Sequence, residues 1–185
     1  MAQALSGAAL ALSVILLTTV RVRGMSIALA VQGWMVACAI LSRGFAEGAV
    51  LAAIALAAGG VAFPVAMERI AGDGDRETEV GATGWTVLAG AFALVALAVS
   101  LASLIALPED LALALSVVLL GLLRIVARGG LIARIAGALV IWHGTVLVAG
   151  DVGGVPIVAV MLLAWLAVPA FGLWVLAHGP ADAAD

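Results

Sequence analysis

The stretch "TVLAGAFALVALAVSLASLIAL", Thr86–Leu107, runs for 22 residues without a charge. Its apolar residues do not alternate with polar ones, as the strands of a membrane barrel must. A helix that crosses the hydrocarbon core needs about 20 apolar residues, so the stretch reads as one membrane-spanning helix. Working outward, charges and Gly/Pro clusters cut the 185-residue chain into seven such segments, at about 4–20, 25–42, 47–67, 84–107, 110–127, 131–149 and 155–177.

Composition agrees. Hydrophobic residues make up 66 % of the chain, charged residues only 10 %, and mean hydropathy is +1.32. Soluble domains carry about 25 % charged residues. Eight arginines and eleven acids are too few to build a water-exposed surface. The net charge of -3 argues against nucleic acid, which needs a basic face. The single cysteine, Cys38, excludes an internal disulfide and an all-cysteine metal site. No His/carboxylate cluster suggests a zinc or di-iron site, no lysine is present for a retinal Schiff base, and no nucleophile motif stands out. The reading is an all-α, polytopic membrane helix bundle with no cofactor and no metal of its own. It is not expected to be catalytic by itself. Span 1 has no positive residue ahead of it and is read as retained, unlike a secretory signal.

Orientation follows arginine. Arg21 and Arg23, Arg69 and Arg76, and Arg124, Arg128 and Arg134 all fall on one side, which is taken as cytoplasmic; only Arg43 falls on the other. The N-terminus is then outside and the tail from His178 to Asp185 inside. The acidic loop 68–84 is a solvated connector or a docking strip for a peripheral partner.

Landmarks recur at an offset of 105. Arg23-Gly24 matches Arg128-Gly129, Ile27 and Ala28 match Ile132 and Ala133, and Pro64 matches Pro169. The chain therefore reads as 3+1+3: one membrane domain, residues 1–185, with diverged copies at about 4–67 and 110–177 joined by a linking helix at about 84–107. Pro64 and Pro169 remove backbone donors, and Gly59 and Gly60 lie about one turn before Pro64. These four are helix-break candidates, either an opening onto an ion path or ordinary kinking.

An ionisable group at membrane depth is a functional candidate by default. His143, about 18 Å into span 6 at 1.5 Å per residue, is the one near mid-membrane. It either carries a proton or makes a structural hydrogen bond to a neighbouring helix. Gln32, about 10 Å into span 2, either holds a water or joins helices. Arg124, Arg128 and Arg134 read as cytoplasmic anchors, or as contacts to a partner subunit or anionic lipid.

The stretch "GLLRIVARGGLIARIAGALVIWHGTVLVAGDVGG", Gly121–Gly154, resembles the hydrogenase-4 component E family of hydrogenase and formate hydrogenlyase complexes. A helix end, a basic turn and a Leu/Ile-rich helix start lead to two glycines seven apart, here Gly137 and Gly144. Span 2, with Gln32, and span 3, with Pro64, look like the family's second and third helices. The last three spans also look like the K-type subunit of respiratory complex I. The resemblance implies a small membrane subunit in the bacterial inner membrane, beside antiporter-like subunits, assisting proton or cation translocation or scaffolding its partners. It implies no cofactor. Where the family usually carries a glutamate and an asparagine, this chain has Trp142 and His143, and Gly59 stands at about the place where the family tends to carry a lysine. A stand-alone carrier of small solutes is the alternative, built on the three-helix repeat, and a purely structural scaffold is the third.

Overall fold

The computed structural model describes residues 1–19, 21–42, 46–71, 84–105, 108–128, 130–152 and 165–178. Its elements are helices: α1 Ala2–Thr18, α2 Val22–Leu41, α3 Ala46–Ile54, a π-helical segment Ala55–Ala62, α4 Phe63–Ala71, α5 Gly84–Leu104, α6 Glu109–Ala127, α7 Leu131–Val152 and α8 Ala167–His178. Among the described residues, five stretches are long and apolar enough to cross a membrane: Val22–Leu41, Ala52–Arg69, Trp85–Leu104, Glu109–Ala127 and Leu131–Ala149. α1 is a shorter apolar helix of 17 residues. The chain is a helical membrane bundle. The first part of the seventh expected span, 155–164, lies outside the described residues; α8 covers most of the remainder. The third is one helix in three parts, and it continues to Ala71, into the stretch read as the long loop.

These helices are apolar all round, as membrane helices are. What organises them is close approach through small residues. Gly33 of α2 crosses the π segment on Gly60; a Cβ at Gly33 would lie 2.5 Å from the Gly60 amide nitrogen. Gly137 and Gly144 of α7 face α6 in the same manner. A Cβ on Gly137 would meet the Gly121 carbonyl at 2.9 Å, and one on Gly144 would meet the Val118 amide at 2.8 Å. Only glycine lets these backbones pass so closely.

The packing is layered. α1 lies on α2, and α2 on the π segment and α4; α6 lies on α7, and α7 on α8. Across the two layers α1 meets α6, α2 meets α7 and α4 meets α8. Elements at matching places in the 105-residue offset therefore lie against each other. α5 sits outside, against α6 and α1, with Trp85, Phe92 and Leu104 exposed. α7 is the most enclosed of these five: 72 % of its apolar stretch is buried, against 22 % for α5. Pro108 precedes α6, and Glu109 and Asp110 in its first turn favour the positive end of the helix dipole. Between α6 and α7, Gly130 takes φ 79°, a left-handed conformation free of strain only for glycine.

Candidate functional site

Three helices converge on His143. It is the thirteenth residue of α7, about 18 Å from the helix start, and it is fully buried. Gln32, also fully buried, is the eleventh residue of α2. Because α2 begins at Val22, earlier than the sequence suggested, Gln32 lies about 15 Å from its start and close to the depth of His143. The two are joined by a hydrogen bond of 3.1 Å between Gln32 Oε1 and His143 Nδ1. Gln32 Nε2 donates in turn to Ser13 Oγ of α1 at 2.7 Å and to the Ala9 carbonyl at 3.1 Å. Ser13 Oγ donates to the same carbonyl at 2.9 Å. The result is a buried, uncharged hydrogen-bonded chain from α1 through α2 to α7.

The chain ends on the third span. His143 Nε2 is buried, with no hydrogen-bond partner among the described residues. It lies against Gly59 so closely that a Cβ there would collide with it. Gly59 and Gly60 are buried in the π segment, which runs directly into α4 and Pro64. The helix is therefore widened at this place rather than cut. π turns inside α-helices are uncommon and frequently mark functional sites. Phe63 N–H bonds the Ala58 carbonyl, five residues back. Pro64 follows and has no N–H, so it has no backbone donor to offer the Gly59 carbonyl in that register. The side chain of Trp142 is fully buried beside the ring, with centroids 5.5 Å apart and planes tilted by 54°.

The arginines divide. Arg134 is exposed, as an anchoring residue would be. Arg124 and Arg128 are turned inward, 1 % and 4 % exposed, and they bond the C-terminal end of α1. Arg128 Nε and Nη2 both donate to the Leu17 carbonyl, at 3.1 and 2.9 Å. Arg124 Nη2 donates to the Thr19 carbonyl at 3.3 Å and also meets Met25 Sδ. The last carbonyls of a helix lack internal partners and carry the negative end of its dipole, so guanidinium groups are well matched to them. Anchoring at the membrane surface is therefore not the contact these two make; they latch α6 onto α1. At the opposite end of the same helix pair Gln3 Nε2 donates to Glu109.

Of the helix-break residues, Gly59, Gly60 and Pro64 lie together at the third span, and Gly59 is the one that reaches His143. Pro169 is buried in α8 and takes no part in that cluster. Ser13 was missed by the sequence reading. Its only signal was a hydroxyl in an otherwise apolar helix, which is common in membrane helices. No group of three or more metal-ligating side chains occurs among the described residues.

No family model, no curated protein and no solved structure matches the chain. The likeness to hydrogenase-4 component E rests on the quoted sequence stretches alone.

Proposed function

We propose that this chain is a small membrane subunit of a redox-driven, ion-translocating assembly of the hydrogenase-4, formate hydrogenlyase or complex I-like kind. It sits in the bacterial inner membrane beside antiporter-like subunits, N-terminus outside and C-terminus cytoplasmic. Its own part is to pass or hold a proton at His143, while the redox chemistry belongs to its partners. The observation that carries this reading is the place of His143: a lone mid-membrane imidazole, hydrogen-bonded on one nitrogen through α2 to α1, its other nitrogen set against the π segment.

Imidazole suits the task because it accepts a proton on one nitrogen and releases one from the other. Placement beside Gly59 supports the reading further. The resembled family tends to carry a lysine at about the place of Gly59, and usually a glutamate and an asparagine at the positions of Trp142 and His143. Here His143 lies directly against Gly59. One titratable ring thus occupies the ground between the family's two charge-carrying positions.

The test is to tag the chain in its host, extract it in mild detergent and follow ion transport in membrane vesicles. Antiporter-like and redox subunits are expected to co-purify with both wild type and His143→Leu. The variant is expected to move about tenfold fewer ions per electron, the loss of a relay group being far larger in rate than in binding. A chain that purifies alone, or a variant that pumps as wild type does, overturns the proposal.

A further inference from the structure

We infer that the proton-binding atom of this site is Nε2 of His143, and that Ser13 and Gln32 are positioning residues that leave that nitrogen free. The hydrogen bonds fix each group in turn. The Ala9 carbonyl can only accept, so the Gln32 atom at 3.1 Å from it must be the amide nitrogen. Ser13 gives its own hydrogen to that carbonyl, so its lone pairs face the same Gln32 nitrogen at 2.7 Å. Both contacts hold the amide one way round. Gln32 Oε1 is then the atom that faces His143, and it too can only accept. Nδ1 must therefore be the ring nitrogen that donates.

A neutral imidazole has one N–H. With it on Nδ1, Nε2 keeps a bare lone pair. The surroundings of Nε2 agree from the other direction. It rests against Gly59 with no hydrogen-bond partner among the described residues, which suits a lone pair facing a Cα–H and leaves no acceptor in place for a hydrogen. When a proton arrives at Nε2, the new N–H points at the π segment, where the Gly59 carbonyl has lost a donor to Pro64. Titratable residues on the elements packed against α7 fall toward the helix ends: Arg23 and Cys38 on α2, Glu47 on α3, Glu109, Asp110 and Arg124 on α6, His178 on α8. Among the described side chains, none of them is hydrogen-bonded to the ring; its hydrogen-bond partner is Gln32. The identity of the atom rests on these hydrogen bonds; its use in translocation rests on the relay proposed above.

The experiment is nitrogen NMR on the full chain in lipid bilayers, with ring-labelled histidine and His178→Gln so that His143 alone reports. At neutral pH the wild-type ring is expected with its proton on Nδ1, in about tenfold excess over the other tautomer, the bias one buried hydrogen bond supplies. Gln32→Leu is expected to abolish that excess, and Ser13→Ala to reduce it by freeing the amide to turn over. A wild-type ring with its proton on Nε2 overturns the assignment, as does a ring whose tautomer ignores Gln32→Leu. Should either variant fail to fold, the wild-type spectrum decides by itself. A correct tautomer in a chain whose His143→Leu variant still pumps leaves the atom assigned and the relay refuted.

Discussion

Two buried ties join α1 and α2 to α6 and α7, and they are built from opposite chemistry. At mid-membrane the link is uncharged: Ser13, Gln32 and His143 in one hydrogen-bonded chain. At the C-terminal end of α1 the link is cationic: Arg124 and Arg128 on the carbonyls of Thr19 and Leu17. Depth explains the difference. A full charge near mid-membrane is expensive, whereas at a helix end a buried guanidinium meets unpaired carbonyls and the negative end of a helix dipole. The cationic link is made to backbone carbonyls, which can only accept, and it leaves Arg124 Nε and Nη1 and Arg128 Nη1 without partners among the described residues. The uncharged link ends on a nitrogen that can still change state. On the proposed function, holding and switching are separated along the same interface.

Four substitutions break or sharpen this contrast, in descending order of effect. Gly59→Val drives a side chain into the space of the His143 ring; overpacking of this kind costs about 2–3 kcal/mol. Thermal denaturation in detergent measures it, and adding His143→Ala to the same chain should recover part of the loss, because the colliding partner is gone. Arg128→Ala removes both bonds to Leu17 and is expected to cost about 2 kcal/mol, read in the same assay. Arg128→Lys should recover part of that, since one ammonium still reaches one carbonyl. Gln32→Leu removes the middle of the uncharged chain, and membrane hydrogen bonds of this kind are worth about 1 kcal/mol; a stability loss as large as that of Arg128→Ala would erase the distinction drawn here. Arg134→Gln, on an exposed side chain, should stay within about 0.5 kcal/mol.

Much of the bundle is written in hydropathy. Long apolar runs cut by charge and Gly/Pro place the helices to within a few residues, because lipid rewards length and composition more than pattern. His143 and Gln32 stand out by polarity at depth, and Gly59, Gly60 and Pro64 by helix chemistry. What joins them is not local. Nothing in the third span alone says that Gly59 faces α7, and the π register depends on how that span packs. Ser13 carries no periodic signal, and its role exists only once α1 lies on α2. The inward turn of Arg124 and Arg128 escaped for a related reason. Charges at helix ends read as surface anchors by default, and the carbonyls that draw them inward belong to a helix about a hundred residues earlier. One hint was present: Thr19 and Arg124 are 105 residues apart, the offset at which the sequence landmarks recur, and they are bonded.

The most direct test sets the two ties side by side in vesicles that hold the whole assembly, with protons moved per electron as the readout. His143→Leu is expected to lose about tenfold in that ratio while redox turnover and subunit content persist, and Arg128→Lys to keep the wild-type ratio. Equal ratios in His143→Leu and wild type, or a collapse of the ratio in Arg128→Lys with His143 intact, would contradict the division between a switching centre and a holding latch.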